Sequence, residues 1–156
     1  MTLSPKDRDG WVARWREGRI QFHVDKVNPI LDRYVDRLLP EGFGRVLVPL
    51  CGKSVDLGWL VDRGHEVVGV ELAEKAVEDL FKETGRSPTI STQDVFQSWR
   101  SDGLEVLVGD LFELDAEFIG KFDAIWDRAA LVALRPSDRD RYARHLREFL
   151  QSNGRI

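Results

Sequence analysis

The sequence predicts a doubly wound, Rossmann-like α/β domain with a mostly parallel sheet, and two patterns carry the prediction. Short apolar runs of strand length alternate with amphipathic helical segments from residue 44 onward. Strands that alternate with helices form a parallel sheet covered on both faces, and right-handed crossovers wind it twice. Four runs are predicted as strands, over residues 45–49, 66–71, 104–109 and 122–127.

The helical segments are bounded by proline and glycine. Pro136 stands in the first turn of one helix, and glycines follow the ends of others. Helices are predicted over residues 6–16, 24–39, 54–63, 73–83 and 136–151. The polar, irregular segment 86–103 is predicted as a loop or a peripheral helix.

The last residues of the chain resemble the opening of the first strand. Gly154-Arg155-Ile156 repeats the pattern of Gly44-Arg45-Val46 after a long helix, which indicates the start of a fifth strand. We therefore expect a C-terminal truncation, with strands one to four present and the later strands missing. The outer edge of the fourth strand would then be uncovered and prone to pair with another chain.

A chain of 156 residues is long enough for one domain with a buried core. We expect a single domain over residues 1–156. It would consist of an N-terminal helical lid, residues 1–40, and an incomplete α/β core that binds the cofactor, residues 44–156.

Composition excludes several classes of protein. Lys and Arg number 23 and Asp and Glu 27, so the net charge of −4 argues against general nucleic-acid binding. No apolar run approaches the roughly 20 residues that a membrane span needs, and residues 1–8 lack a signal-peptide core. The single cysteine, Cys51, excludes an internal disulfide framework and a cysteine-rich zinc site. We expect no metal, no membrane partner and a cytoplasmic location.

Residues that follow the strands are the first candidates for a binding site, because ligands of open α/β sheets lie beyond the carboxyl ends of the strands. Gly52 follows strand one and lets the backbone approach a ligand closely. Glu71 ends strand two, about 20 residues later, where a carboxylate can accept hydrogen bonds from ribose hydroxyls. Asp110 and Leu111 follow strand three and could hold an adenine by its amino group and its face.

Three cofactor classes compete for such a site. A dinucleotide fold needs G-x-G-x-x-G, but the chain has only Gly52 in this turn. A P-loop needs G-x-x-x-x-G-K-[ST]; its tail matches Gly52-Lys53-Ser54, yet its first glycine would fall at Leu47 inside the strand. A nucleoside cofactor without phosphate remains, and S-adenosylmethionine fits.

The chain resembles the thiopurine S-methyltransferase family, which has the class I methyltransferase fold. Pro-Leu-Cys-Gly-Lys and Trp-Asp-Arg are the specific motifs. A generic methyltransferase has a glycine-rich turn in place of the Pro-Leu-Cys of the first motif. The resemblance extends over nearly the whole chain and rests on Trp11, Trp15, Gly18, Phe22-His23, Pro49 to Lys53, Asp62 to His65, Val67 to Glu71, Gly120 to Asp123, Ile125 to Arg128 and Ala130 to Ala133.

The resemblance implies a role for each site residue. Trp11 and Trp15, with the segment through Phe22, would close over the cofactor, and Phe22 would line the acceptor pocket. Arg128 would lie near cofactor and acceptor and is the single catalytic candidate. The other implied cofactor contacts are Leu50 and Gly52 at the methionine part, Glu71 at the ribose, Leu72 beside the adenine, and Asp110 and Leu111 flanking it.

The function that the resemblance implies is methyl transfer from S-adenosylmethionine to the sulfur, selenium or tellurium of a small molecule, such as an aromatic or heterocyclic thiol. Trp11 and Trp15 could attract the cationic sulfonium, and Arg128 could stabilise a thiolate. The alternatives are a nucleoside-binding module without turnover, because of the truncation, and a P-loop-like phosphotransferase. The full-length protein is expected to be a monomer, and a fragment could self-associate.

Cys51 and one charged segment are interpreted as structural. Cys51 is interpreted as a packing residue, because a lone cysteine after a strand is more often buried than reactive. The charged run from Arg135 to Arg147, including His145, is assigned to a solvated helix face.

Overall fold

A seven-stranded sheet forms the centre of the molecule in the computed structural model, which describes residues 2–156. The strands are β1 Arg45–Pro49, β2 Glu66–Glu71, β3 Thr89–Gln93, β4 Phe96–Ser101, β5 Leu104–Val108, β6 Phe122–Ile125 and β7 Leu150–Arg155. The helices are α1 Pro5–Arg16, α2 Pro29–Leu38, α3 Val55–Asp62, α4 Glu74–Thr84, α5 Ala116–Ile119, α6 Ala130–Ala133 and α7 Pro136–Glu148.

The strand order is β3-β4-β5-β2-β1-β6-β7. The pairs β1–β2, β2–β5, β1–β6 and β6–β7 are parallel, whereas β3–β4 and β4–β5 are antiparallel. The predicted α/β class with a mostly parallel, doubly wound sheet is therefore confirmed. Chain order reverses at β1, which is where such a sheet opens a crevice for ligands.

Two apolar layers hold helices against opposite faces of the sheet, because side chains alternate along each strand. In β1, Val46 and Val48 pack with Leu57 of α3 in one layer. Leu47 points into the other layer, with Tyr142 of α7. Strand β2 shows the same alternation, with Val67 in the first layer and Val68 in the second. Strands β1 and β2 are thus buried on both faces, as continuous apolar runs predict.

The N-terminal helices begin at side-chain caps. The Ser4 side chain accepts a hydrogen bond from the Asp7 amide, and Asn28 does the same for the Ile30 amide at the start of α2. Trp15 is buried in a third cluster, with Ala73 and Ala76. Helix α1 is thereby docked on α4. No helix of residues 2–156 is both long and apolar enough to cross a membrane.

The prediction of a loop or helix over residues 86–103 was wrong, because this segment forms the hairpin β3–β4. Asp94 lies in the turn with a φ of 54°. Strand β3 is at the sheet edge and almost wholly exposed, so it lacks the apolar run that marks a buried strand. Trp99 of β4 is buried and packs on Phe81 of α4.

The predicted fifth strand after the long helix is confirmed as β7, but it begins earlier than expected. Strand β7 begins at Leu150 and pairs in parallel with β6, so the outer edge of the fourth predicted strand is covered. The helix expected to reach residue 151 ends at Glu148. The prediction placed only the end of this strand, from Gly154, because Gln151, Ser152 and Asn153 are polar and exposed.

Candidate active site at the carboxyl edge of the sheet

A cavity of about 240 Å³ lies beyond the carboxyl ends of the central strands, at the reversal in strand order. Its walls are mostly apolar, and four parts of the chain supply them. Residues 48–54 come from the end of β1 and the turn after it, and residues 71–72 end β2. The loop after β6 and the N-terminal segment complete the enclosure.

The predicted site residues are mostly brought together here. The cavity is lined by Trp11, Trp15, Phe22, Leu50, Gly52, Glu71, Leu72 and Arg128. They come from separate parts of the sequence, and the fold assembles them at one edge of the sheet.

Glu71 and Gly52, paired from their spacing, are in direct contact. The Gly52 amide donates to Oε2 of Glu71 at 2.8 Å, and the Ala73 amide donates to Oε1 at 2.9 Å. Burial raises the pKa of the Glu71 carboxyl, while the hydrogen bonds from Ala73, Gly52 and Leu72 oppose that rise. A carboxylate has about four acceptor sites, so Glu71 can accept from a ligand as well.

Gly52 has a positive φ of 52°, and the Trp15 ring covers it closely. A Cβ added at Gly52 would lie 2.8 Å from the Trp15 ring, closer than packed atoms tolerate. Glycine is therefore required both by the backbone conformation and by the space.

Three aromatic rings close the N-terminal side of the cavity. Phe22 makes edge-to-face contacts with Trp11 and Trp15, with centroids 5.9 and 5.6 Å apart. Trp15 is buried, whereas Phe22 is 42% exposed. The Arg14 guanidinium lies 5.2 Å from the Trp11 ring centroid, so that ring already has a cation over it.

The loop after β6 holds Arg128 and connects the sheet to the N-terminal segment. Arg128 donates to the Phe22 carbonyl at 3.3 Å. Asp127, its neighbour, accepts from the Tyr142 hydroxyl at 2.8 Å and from the Ala130 amide at 2.9 Å. Asp127 thus anchors the start of α6 to α7.

Two residues of the cavity wall that are not glycine adopt the left-handed backbone conformation. Leu50 has a φ of 49° and Ala129 a φ of 62°. They follow the neighbouring strands β1 and β6, and such a conformation costs a residue with a Cβ about 1–2 kcal/mol. Backbone strain of this kind concentrates at functional sites.

Asp110 and Leu111 do not line the cavity. Asp110 is fully buried, and its carboxylate accepts from the Leu3 amide at 2.6 Å and from the Phe112 amide at 3.0 Å. Leu3 itself lines the cavity, so the N-terminal residues lie between the cavity and Asp110. The cavity is accordingly smaller than the roughly 300–1,000 Å³ of sites for drug-sized ligands.

Lys53 and Ser54, which match the tail of a P-loop, are already engaged. Lys53 Nζ lies 2.6 Å from Glu83 Oε1, and the Ser54 side chain accepts from the Asp56 amide at 3.2 Å at the start of α3. Neither group is set up to hold a phosphate.

The cavity is also lined by His23, which belongs to the Phe22-His23 motif of the resemblance. Burial, followed by the charge of Lys53, lowers the pKa of His23, so the imidazole is neutral at pH 7. Burial raises the pKa of the Cys51 thiol well above its usual range, and Glu71 adds to the rise. The interpretation of Cys51 as a packing residue agrees with its burial in the core.

Two residues outside the predicted set make long-range contacts near the site. Asp56 is a buried carboxylate that accepts from the Trp126 indole and the Asn28 amide. His145, expected on a solvated face, packs instead against the loop after β5. Its Nε2 lies 2.8 Å from the Leu111 carbonyl, and its ring contacts Phe149 edge-to-face. Neither set of contacts could be predicted from the sequence, because the partners are distant in the chain.

The chain is similar in sequence to the proteins of one family. The sequence profile of the thiopurine S-methyltransferase family matches residues 6–156. The thiopurine S-methyltransferase of Pseudomonas paraeruginosa is 49% identical over 142 residues, 91% of this chain and 65% of that relative. The one of Azotobacter vinelandii is 48% identical over 94% of this chain and 67% of the relative. The chain spans about 65% of the length of the curated relatives it matches.

Comparison of structures gives the fold. The crystal structure of the Burkholderia thailandensis 1,6-didemethyltoxoflavin-N1-methyltransferase, with its substrate and S-adenosylhomocysteine bound, has a TM-score of 0.64 at 19% identity. The match covers 94% of this chain and 57% of that protein. The two proteins share the methyltransferase fold.

Proposed function

Because the chain belongs to the thiopurine S-methyltransferase family, we propose that it binds S-adenosylmethionine in the cavity and transfers the methyl group to a small molecule. The acceptor atom is sulfur, or selenium or tellurium in its place, and aromatic and heterocyclic thiols are the acceptor class. Glu71 is the observation that carries the proposal, because it is a buried carboxylate in the wall of a mostly apolar cavity.

The residues of the cavity fit this cofactor. Glu71 keeps acceptor sites for two ribose hydroxyls, and Gly52 lets the Trp15 ring pack directly on the turn after β1. Leu72 provides an apolar contact for the adenine, and Leu50 and Gly52 would approach the methionine part. Asp110 and Leu111 would complete the adenine site once the Leu3 amide leaves the Asp110 carboxylate.

The bound cofactor supplies an electrophilic methyl group on a cationic sulfur. An aromatic face attracts a cation by about 0.5–2 kcal/mol. Since Arg14 lies over Trp11, we assign the face toward the sulfonium to Trp15, and to Phe22 the contact with the acceptor ring. Both side chains, with Trp11, also exclude water from the cavity.

Arg128 has the catalytic role in this proposal. Its guanidinium favours the ionised form of a nearby thiol and so lowers the pKa of the acceptor. A thiolate is the stronger nucleophile and needs no strong base. Methyl transfer then depends mainly on holding the thiolate in line with the methyl carbon and the leaving sulfur, which is a matter of positioning.

The proposal also includes the domain organisation, the oligomeric state with the location, and the partners. Residues 1–40 act as a lid on the α/β core of residues 44–156, and both are parts of one domain. The full-length protein is a monomer in the cytoplasm. Its partners are the cofactor and a small-molecule acceptor rather than nucleic acid or a membrane.

Calorimetric titration tests cofactor binding directly. We expect heat of binding with S-adenosylhomocysteine and none with ATP. The reverse result would support a P-loop-like phosphotransferase. An assay with an aromatic thiol then separates the enzyme from a binding module, because a module would bind S-adenosylhomocysteine without methylating the thiol.

The substitution Glu71→Ala tests the ribose assignment. It removes hydrogen bonds to a charged acceptor, each of which contributes about 1.5–3 kcal/mol, so the Kd for S-adenosylhomocysteine should rise at least tenfold. The matched control is Glu74→Ala, because Glu74 is the next acidic residue and is exposed on α4. Unchanged affinity in Glu71→Ala would contradict the assignment.

A further inference from the structure

Asp56 is a buried carboxylate that has no part in the proposed function. It is 1% exposed and lies in the first turn of α3. Its Oδ1 accepts from the Asn28 amide at 2.9 Å, and its Oδ2 accepts from the Trp126 indole Nε1 at 2.9 Å. Each carboxylate oxygen thus holds a donor from a different part of the chain.

The two donors belong to opposite walls of the cavity. Trp126 follows β6 and lines the cavity from the side of the sheet. Asn28 caps α2 and ends the segment that carries Phe22 and His23, both of which line the cavity from the N-terminal side. One side chain therefore fixes the distance between the sheet and the N-terminal segment.

The strand order shows which end of the cavity this side chain controls. Along the order β5-β2-β1-β6, Glu71 ends β2, residues 50–52 follow β1, and Trp126 and Arg128 follow β6. The end at β6 is thus the one farthest from the adenine side. We infer that Asp56 is a positioning residue for the methyl acceptor, acting through Trp126 and Asn28. This inference rests on the proposed function.

The chemistry of Asp56 cannot be replaced by an amide of the same shape. Both of its partners are N–H donors, so both oxygens must accept. An asparagine has one oxygen, and its amide nitrogen would face either the Trp126 indole or the Asn28 backbone, donor against donor. Asp56 lies in the first turn of α3, where an acidic side chain is common.

The test measures acceptor KM and cofactor affinity separately in Asp56→Asn and Trp126→Phe, the second of which keeps a ring but removes the N–H. In each variant we expect the KM for an aromatic thiol to rise at least fivefold and the Kd for S-adenosylhomocysteine to stay within twofold. The double variant should raise the KM by less than the product of the two single rises, because both changes act on the same hydrogen-bonded group.

Asp62→Asn is the matched control. Asp62 lies on the same helix, its side chain is 73% exposed, and it pairs with Arg86 at 3.0 Å. It touches neither wall of the cavity, so KM and Kd should equal those of the parent chain. This control accounts for the loss of one negative charge from α3.

An unchanged acceptor KM in folded Asp56→Asn would overturn the inference. So would equal rises in KM and Kd, which would indicate a general loss of structure. If Asp56→Asn does not fold, Trp126→Phe decides by the same criterion.

Failure of the proposed function gives a different result. A parent chain that binds S-adenosylhomocysteine but methylates no thiol overturns methyl transfer alone. The inference about Asp56 is then decided by acceptor binding, measured as quenching of tryptophan fluorescence, with the same fivefold criterion. A parent chain that binds neither ligand overturns both.

Discussion

The buried carboxylate of Glu71 costs free energy in the folded protein, and the same group can accept hydrogen bonds from a ligand. Removing a carboxylate from water disfavours its charge, and the raised pKa of Glu71 records that burial. The amides of Gly52 and Ala73 offset part of the cost by donating to its two oxygens. A ligand with hydroxyl groups would offset more, so binding and ionisation of Glu71 should favour each other.

The raised pKa of Glu71 predicts a pH dependence of stability. The folded state holds this proton more tightly than the unfolded state, so the contribution is fully present below the usual pKa of 4.5 and is lost as pH rises through the folded value. Relative to Glu71→Gln, the parent chain should therefore lose free energy of unfolding as pH increases from 4.5. Urea unfolding of both proteins across this range measures the difference in their free energies of unfolding. A difference that stays constant with pH would contradict a raised pKa of Glu71.

The residues after the strands were predictable where the interaction is local to the strand ends. The spacing of Gly52 and Glu71 placed them together because parallel strands end at one edge of the sheet, and they share a hydrogen bond. Asp56 was not predictable, since an aspartate in a first helical turn is usually a partner of the helix itself. Its contacts with Asn28 and Trp126 depend on the tertiary fold.

At the scale of elements, the prediction succeeded for the four parallel strands of the core, missed the hairpin β3–β4 and identified only the end of β7. Strands β1, β2, β5 and β6 are apolar because helices cover both of their faces. Strands β3 and β7 are the edges of the sheet and are largely exposed. An edge strand is held by backbone hydrogen bonds to its neighbour, and these leave little trace in the sequence.

The strained turn between β6 and α6 predicts an unusual stability effect. Ala129 adopts a φ of 62°, which costs a residue with a Cβ more than it costs glycine. Ala129→Gly should therefore raise the free energy of unfolding by about 0.5–1 kcal/mol, after the added flexibility of the unfolded chain is counted. Urea denaturation is the measurement.

The neighbouring substitution Ala130→Gly is the control for this turn. Ala130 begins α6 and is buried, so glycine there should destabilise the protein by about 1 kcal/mol. Opposite signs for the two substitutions would confirm that Ala129 is strained. A loss of stability in Ala129→Gly as large as in Ala130→Gly would show that it is not.

At the scale of the whole molecule, the strand order arranges the site as a row. The end of β5 carries Asp110, the end of β2 carries Glu71, and the loop after β6 carries Arg128. The N-terminal segment closes this row through Trp15 over Gly52 and Leu3 over Asp110. Ligand binding at the row should therefore stabilise the sheet together with the part of the N-terminal segment around Trp15.

This arrangement predicts a thermal shift by S-adenosylhomocysteine. A ligand at 100 times its Kd stabilises the folded state by about 2.7 kcal/mol. For a domain of this size, each kcal/mol moves Tm by about 2–4 °C, so Tm should rise by roughly 5–11 °C. ATP at the same concentration should give no shift, and Glu71→Ala should give a smaller one. Equal shifts with the two ligands would mean that the cavity recognises only the adenosine they share, leaving the methionine contacts at Leu50 and Gly52 without support.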